Sequence, residues 1–263
     1  PVEGFSDPLP IRDMGRFSHE AHAVDPRSGY IYETEDAGGS SGLYRYIPNK
    51  TNRPAEGGQL SMLKVKQQAL ANLGGGFPNG ATFDVEWVPV DTPDSQSPSM
   101  PGNFVWAQGR ARGAATFARL EGCWWGADKQ IYIVSTSGGA VGQGQIWVYD
   151  AKEETIRLLF ESPSSAVLNA PDNITVSPRG GLVLCEDGGG EEFLHGLTVD
   201  GEIFKFAKNN VVLNGERNGI VGNFSGSEFA GACYSPDGEW LFANIQSPGI
   251  TVAITGPWQN GAL

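Results

Sequence analysis

Cysteine is scarce in this sequence, which has only Cys123, Cys185 and Cys233 among its 263 residues. The odd number and the lack of a Cys-x-x-Cys pair exclude a disulfide framework and a cysteine-based zinc motif. All three stand among apolar residues with strand character, so we expect buried free thiols.

Basic residues are also few. The 18 Lys and Arg residues stand against 30 Asp and Glu residues, which gives a formal net charge of −12. Nucleic-acid binding needs basic stripes, so this balance argues against a nucleic-acid partner. An acidic surface usually serves solubility. Alternatively, part of the acidic excess is held for metal cations, which would cancel the charge locally.

Long apolar runs are missing as well. None approaches the roughly 18 residues that a bilayer-spanning helix needs, so we predict no membrane association. The chain has no signal peptide and begins at Pro1 without a methionine, so we expect a processed or trimmed form. The G-x-S-x-G, P-loop and H-E-x-x-H motifs are absent, which argues against serine hydrolases, nucleoside triphosphatases and zinc peptidases.

Glycine and proline, by contrast, are plentiful: 37 and 17 residues are spread through the chain. This composition is typical of many short strands joined by tight turns. We predict a single all-β domain over residues 1–263, with residues 1–18 as a turn-rich lead-in. Residues 64–73 are helix-permissive, and residues 91–118 are predicted to form a loop followed by a short helix.

A unit of about fifty residues recurs along the chain, and each clear copy opens on an acidic residue. Glu121 and Asp172 are 51 positions apart, Asp172 and Glu228 are 56 apart, and Glu20 precedes Glu121 by 101, about two periods. Four strands per unit and a period of ~40–50 residues are typical of β-propeller blades. We count four clear units and a weaker fifth around residues 60–110. Because a ring must close or leave a sheet edge unpaired, we expect further material before the first residue.

These acidic residues are the strongest functional signal. A residue repeated once per blade on the innermost strand meets its counterparts at one mouth of the channel. Carboxylates gathered there need raised pKa values or compensating cations, and hard cations such as Ca²⁺ suit several carboxylates per site. The alternative, a turn-capping role for each, suits a single residue better than four. We therefore predict metal ligation by Glu20, Glu121, Asp172 and Glu228, with Glu121 also catalytic.

Arg119 precedes Glu121 by two residues, so both side chains point to the same face of a strand. Arginine is well suited to hold an anionic oxygen group such as phosphate, and a salt bridge to Glu121 is the alternative. Acidic residues that follow the second strand of a unit could supply further ligands, and Glu186 is the preferred extra metal ligand among them. For most of the others, exposed surface charge is the favoured interpretation: Glu33, Glu35, Asp36 and Asp187.

Five segments carry a family resemblance that runs through almost the whole chain. They are residues 15–21 (GRFSHEA), 32–36 (YETED), 117–125 (FARLEGCWW), 170–174 (APDNI) and 256–258 (GPW). The sequence resembles the PhoX-type alkaline phosphatases at these positions. The segments around the Ser-His-Glu and Arg-Leu-Glu-Gly motifs are the most specific.

The resemblance implies a six-bladed β-propeller that is exported by the twin-arginine route to the periplasm or beyond. It also implies iron and calcium ions at the channel mouth and hydrolysis of phosphate monoesters. Carried over position by position, Glu20, Glu121, Asp172 and Glu228 would be metal ligands, and Arg119 would contact the substrate phosphate. An earlier family segment with a cysteine iron ligand is not found in this sequence.

The leading hypothesis is a metal-dependent phosphomonoesterase with calcium and iron as cofactors and a small-molecule phosphate ester as substrate. Arg119 and Glu121 are its predicted catalytic residues. A second hypothesis is a calcium-dependent lactonase or esterase, with Asn173 and Asn244 as additional ligands. A third is a non-catalytic, calcium-stabilised propeller used for binding. The expected location is periplasmic or secreted.

Overall fold

Eighteen β-strands dominate the regular structure of the described residues, which in the computed structural model are 8–95, 104–258 and 261–263. Most of the strands belong to antiparallel meanders in which consecutive strands pair. Four such meanders follow one another along the chain, and they are the blades of a propeller. The predicted all-β propeller is confirmed, whereas the six-blade count and the single-domain assignment stay predictions.

Three blades have four strands and the last has three, with the innermost strand first in each. Blade 1 contains β1 (His19–Val24), β2 (Ile31–Glu35), β3 (Leu43–Pro48) and β4 (Gly58–Val65), and the single strand β5 (Thr82–Pro89) follows it. Blade 2 contains β6 (Leu120–Trp125), β7 (Gln130–Ser135), β8 (Gln145–Asp150) and β9 (Thr155–Glu161). Blade 3 contains β10 (Pro171–Val176), β11 (Leu182–Glu186), β12 (Phe193–Leu197) and β13 (Ile203–Lys208). After the hairpin of β14 (Val212–Arg217) and β15 (Ile220–Asn223), blade 4 contains β16 (Phe229–Tyr234), β17 (Leu241–Ile245) and β18 (Ile250–Ile254).

Strand β5 joins two blades. Its residues 85–89 pair with β4, the outer strand of blade 1, and its residues 82–84 pair with β9, the outer strand of blade 2. Blades 1 and 2 and β5 therefore form one nine-stranded sheet. The alternation of residues in this segment predicts a strand, but not its position between two outer edges. The join covers polar backbone groups that an edge strand would otherwise leave unpaired.

Apolar layers between neighbouring blades hold the propeller together. Strand β11 shows how they arise, because successive side chains of a strand point to opposite faces. Leu182 and Leu184 pack in the layer shared with blade 2, whereas Val183 and Cys185 pack in the layer that contains Leu241 of blade 4. All of β11 is buried, which explains its nearly continuous apolar sequence.

The cysteines are free, as predicted. Cys123 and Cys185 are buried in strands, while Cys233 is only partly buried. Burial raises the pKa of the Cys185 thiol to about 12. This thiol therefore stays neutral and packs as a small apolar group.

The predicted short helix in residues 91–118 is present as α1 (Phe104–Ala111), although residues 96–103 lie outside the described residues. In the predicted lead-in, residues 1–7 also lie outside them, and a short 3-10 turn occupies Arg12–Met14. A second 3-10 turn lies at Pro54–Glu56. Within the described ranges, no helix has the length and apolar character needed to cross a bilayer.

The helical interpretation of residues 64–73 is wrong. Strand β4 runs to Val65, and turns follow it. Gln67 and Leu70 both have φ angles of 61°, in the left-handed region. A right-handed helix cannot continue through such residues, so the local helix propensity is overridden.

The inner strands β1, β6, β10 and β16 lie side by side around the centre of the propeller. Buried threonines bond each of the first two blades to the next one. Thr34 Oγ1 donates to the carbonyl oxygen of Glu121 at 2.6 Å, and Thr136 Oγ1 donates to the carbonyl oxygen of Pro171 at 2.6 Å. These contacts fix the starts of β6 and β10 relative to their neighbours.

The inner strands of blades 2 and 3 lie close together at Gly122, where a Cβ atom has no room. A Cβ atom there would lie 2.7 Å from the backbone nitrogen of Ile174 and 2.8 Å from the carbonyl oxygen of Asp172. We expect Gly122→Ala to lower the free energy of unfolding by about 1–3 kcal/mol, because two inner strands must move apart. Urea denaturation checks this, with Gly215→Ala as the control, since no atom lies within 4 Å of that Cβ position. Equal stabilities of the two variants would contradict the prediction.

Candidate metal centre

A β-bulge recurs at the start of every inner hairpin. The pairing of β1 with β2 shifts between His19 and His22, and the same shift occurs between β6 and β7, β10 and β11, and β16 and β17. Two residues of the inner strand therefore oppose one residue of the second strand, and this re-aims the first of the two. The bulged pairs are Glu20-Ala21, Glu121-Gly122, Asp172-Asn173 and Gly231-Ala232. A carboxylate comes first in three of them.

Glu228 reaches the same region from a different register. Its carbonyl oxygen accepts a hydrogen bond from the nitrogen of Gln246 at 3.1 Å, just as the carbonyl of Arg119 accepts one from the nitrogen of Thr136 at 2.8 Å. Glu228 therefore occupies the position of Arg119 in the blade repeat, and Gly231 stands at the first bulge position. The prediction that all four acidic residues stand in register is wrong for Glu228, because it lies two residues before the position that matches Glu121, and the bulge of blade 4 begins one residue later, at Gly231.

Six carboxylates converge in two groups at this end of the inner strands. In each group the candidate ligand oxygens lie within 4.8 Å of one another. The first group comes from blades 1 and 2 and contains Glu20, Asp36 and Glu121. The second group comes from blades 3 and 4 and contains Asp172, Asp187 and Glu228. The four acidic residues singled out in the sequence are thus brought together. Their role as metal ligands stays a prediction.

Arg119 lies against the first group. Its Nε donates to Asp36 Oδ1 at 2.8 Å, and its Nη2 donates to Asp36 Oδ2 at 3.0 Å and to Glu121 Oε1 at 2.5 Å. The guanidinium is still reachable, since the side chain is 38% exposed. The backbone at Arg119 is left-handed, with a φ of 52°, and Ala170 at the same position in blade 3 has a φ of 49°. Such strain persists only where the surrounding structure enforces it, as at functional sites.

The carboxyl group of Glu121 has a pKa above its ordinary value. Burial raises its pKa, and the charges of Asp172, Asp36 and Glu20 raise it further, while Arg119 acts in the opposite direction. The effect of Asp172 shows that the two groups are electrostatic neighbours. A single arginine does not offset the repulsion that Glu121 experiences.

The second group behaves in the same way. Burial raises the pKa values of both Asp172 and Glu228, and the neighbouring carboxylate of Asp187 raises both further. Ionised carboxylates held this close need protons or cations between them. Sets of carboxylate oxygens are the ligands that hard cations such as Ca²⁺ prefer, so the residues present fit such ions.

Glu186, the predicted extra ligand, is not brought to these groups. Its carboxylate accepts hydrogen bonds from the backbone nitrogens of Asn169 at 2.7 Å and Phe193 at 3.1 Å, and Oε1 lies 3.3 Å from His195 Nε2. Because side chains alternate along a strand, Glu186 points away from the side on which Asp187 lies. The glutamate therefore braces its own blade.

Asp36 and Asp187 are the members of the site that the sequence interpretation assigned to surface charge. Both follow a glutamate at the end of a second strand, in the pairs Glu35-Asp36 and Glu186-Asp187. The glutamate of each pair is buried and bonded to backbone nitrogens, as Glu35 is to Gly42 at 3.0 Å. The aspartate of each pair joins the carboxylate groups. The repeated Glu-Asp pair is the sequence signal that could have identified them.

Asn173 and Asn244, the ligands of the lactonase alternative, are placed differently from each other. The Nδ2 of Asn244 donates to the carbonyl of Ala230 at 3.1 Å, and its Oδ1 accepts from Thr251 Oγ1 at 2.7 Å. This amide is thus engaged within blade 4. The Oδ1 of Asn173 is buried and has no hydrogen-bond partner among the described residues, so it is an unused oxygen beside Asp172.

Comparison with known protein families assigns the chain to one of them. The family model described as "Alkaline phosphatase PhoX" matches residues 1–249. The chain belongs to the PhoX alkaline phosphatase family. The resemblance recognised in the sequence is confirmed, and membership in PhoX supports a phosphatase-type hydrolase. Comparison with curated proteins gives no match.

Several solved structures are similar to this PhoX member. A catalytically inactive virginiamycin B lyase from Staphylococcus aureus has 18% identity and a TM-score of 0.42, covering 96% of this chain and 69% of its own. A putative 6-phosphogluconolactonase from Bacteroides uniformis has 12% identity and a TM-score of 0.45, covering 91% and 68%. A gluconolactonase from Xanthomonas campestris has 10% identity and a TM-score of 0.36, covering 94% and 88%. No activity is carried over from these proteins to the PhoX chain.

Proposed function

We propose that this chain is a metal-dependent phosphatase that hydrolyses small-molecule phosphate monoesters. The observation that carries the proposal is the convergence of six carboxylates from four blades into two groups, the first of which lies against the accessible guanidinium of Arg119. Membership in the PhoX family supports the phosphatase class. On the same family basis, we propose a periplasmic or secreted location.

The two carboxylate groups are the proposed cation sites. Glu20, Asp36 and Glu121 would hold one set of ions, and Asp172, Asp187 and Glu228 would hold the other. Calcium fits this donor set directly, because it takes six to eight oxygen ligands. Iron is proposed from the family resemblance. Bound cations would neutralise the carboxylates and polarise the phosphoryl oxygens of a substrate.

Arg119 is the proposed phosphate-binding residue. Without cations its guanidinium is occupied by the carboxylates of Asp36 and Glu121. Once the charge of those carboxylates is shared with cations, the planar guanidinium can turn its donors to two phosphoryl oxygens. Hydrolysis joins a water oxygen to phosphorus and breaks the bond from phosphorus to the ester oxygen. One proton of the water goes to the departing alcohol, and the other stays on the phosphate. Fixed positive charge at the phosphoryl oxygens favours this step.

Substrate can approach the carboxylates from two clefts. One, of about 440 Å³, lies beside Glu20. The other, of about 500 Å³, lies beside Asp187 and Glu228. Both volumes lie within the roughly 300–1,000 Å³ of small-molecule sites.

A calcium-dependent lactonase or esterase is the second candidate function. The unused buried oxygen of Asn173 favours it, since an asparagine oxygen can complete a calcium shell. The engaged amide of Asn244 does not support it. The third candidate, a calcium-stabilised binding propeller, predicts that calcium raises the melting temperature while no ester is hydrolysed.

Parallel assays of the purified chain separate these functions. We expect phosphate release from an aryl phosphate in the presence of calcium and iron, with elemental analysis finding both metals in the active protein. Opening of a lactone without phosphate release would favour the second function. Stabilisation by calcium with neither reaction would favour the third.

A further inference from the structure

The cleft beside Asp187 and Glu228 has a rim that the proposed phosphate chemistry does not use. It has a volume of about 500 Å³, and Asn223, Gln246 and Ser247 line it together with the two carboxylates. The rim residues come from the end of β15 and from the segment after β17. Neutral amide and hydroxyl groups thus border the acidic site on this side.

Gln246 stands at a special position in the blade repeat. Its backbone nitrogen donates to the carbonyl of Glu228, just as the backbone nitrogen of Asp187 donates to that of Ala170 at 3.0 Å in blade 3. Blade 4 therefore has an amide where blade 3 has a carboxylate of the metal centre. The Gln246 side chain is exposed and makes no hydrogen bond with any described residue. Its amide is available to a ligand without adding charge to the site.

The rim offers two more unused donors. The Oδ1 of Asn223 accepts from the nitrogen of Ser225 at 3.0 Å and from Ser225 Oγ at 2.7 Å, which fixes the amide and leaves Nδ2 unpaired among the described residues. The nitrogen of Ser247 donates to Ser227 Oγ at 2.9 Å, and this holds Ser247 at the cleft. The Ser247 hydroxyl makes no hydrogen bond within the described part of the chain.

Phe224, which also packs against the apolar core, adds an apolar residue to the lining of the same cleft. A pocket that combines an apolar wall with several neutral donors and acceptors suits a polyhydroxylated carbon skeleton. Its hydroxyls can pair with amides and serines, while its C–H face packs on the ring. An aryl group could use the ring but would leave the amides without partners.

We propose that this cleft is the leaving-group subsite of the phosphatase and that it favours phosphate esters of hydroxyl-rich alcohols such as sugars. The proposal rests on the proposed phosphatase function. Gln246 is its specificity-determining residue, because it lies next to Glu228 in the repeat and has no other partner. The phosphoryl group would lie at the carboxylates, and the sugar would extend over Gln246 and Asn223.

Steady-state kinetics with glucose 6-phosphate and 4-nitrophenyl phosphate test the subsite. Gln246→Leu should lower kcat/KM for the sugar phosphate about tenfold, the effect of a lost hydrogen bond, and change that for the aryl phosphate less than about twofold. Asn223→Ala should act in the same direction, and serves if Gln246→Leu does not fold. Gln68→Leu, at an exposed turn remote from β17, is the matched control and should change neither value.

The outcomes separate the two proposals. Loss of activity toward both esters in equal proportion, or unchanged values for both, would overturn the subsite while the phosphatase function stands. If the unsubstituted chain hydrolyses neither ester with its metals bound, the phosphatase function itself fails. A selective loss for the sugar phosphate in both variants supports the subsite.

Discussion

Glu121→Gln should lower kcat/KM for an aryl phosphate about 10³-fold or more, because it removes a charge from the proposed cation site. Glu121 is 4% exposed, stands among the other carboxylates of its group and pairs with Arg119. Glutamine has nearly the same shape, so the change isolates the charge. Chelation of the unsubstituted protein should have a comparable effect, and calcium with iron should restore the activity.

The same substitution should have the opposite effect on the stability of the metal-free protein. Burial and the neighbouring acidic groups raise the pKa of Glu121 above its ordinary value, so its ionised form is costly when no cation is present. A carboxyl group with a raised native pKa stabilises the fold at low pH, and that stability is lost as pH rises above the unfolded-state pKa. The chelated protein should therefore be more stable toward pH 5 than at pH 8. Glu121→Gln should weaken this dependence and raise the melting temperature at pH 8.

Glu202→Gln is the matched control, since Glu202 is exposed in the turn between β12 and β13. Its kcat/KM should stay within about twofold of the unsubstituted value, as for most surface substitutions. Substantial activity of Glu121→Gln, or full activity after chelation, would contradict the metal-dependent mechanism. Loss of activity together with a lower melting temperature of the chelated protein would instead indicate a folding defect.

Some features of the fold and of the acidic site can be predicted from the sequence, and others cannot. Repeated apolar strands are a local signal, and they are sufficient to predict blades such as the one built on β11. The position of β5 between two outer edges depends on pairing with β4 and β9, which are distant in the chain. Local alternation carries no information about such partners.

The two wrong predictions about the carboxylate site, for Glu228 and Glu186, both concern the register of a residue within its strand. Glu20, Glu121 and Asp172 are equivalent bulge residues, so their common context before a strand predicts their convergence correctly. Glu228 shares that context but stands two residues earlier in the repeat, at the position of Arg119, a shift that only the pairing of β16 with β17 reveals. The choice of Glu186 over its neighbour fails for a related reason. Which of two adjacent residues faces the centre depends on the phase of strand alternation.

Arg119→Lys should lower kcat/KM for an aryl phosphate about 10²-fold, and Arg119→Ala about 10³-fold, because both lose the paired donors for phosphoryl oxygens. Lysine keeps the charge but not the planar fork. The inhibition constant for inorganic phosphate should rise in both variants, since the product phosphate uses the same contact. Arg53→Lys, at an exposed position paired with Glu56, is the control and should change neither quantity.

Stability distinguishes this role from a purely structural salt bridge. In the chelated protein, Arg119→Ala removes the ion pairs to Asp36 and Glu121 and should lower the melting temperature, opposite to the effect of Glu121→Gln. Bound cations should reduce that loss, because they replace the missing positive charge. If phosphate inhibition is unchanged in Arg119→Ala while stability falls, Arg119 is a structural partner of the carboxylates and not the phosphate-binding residue.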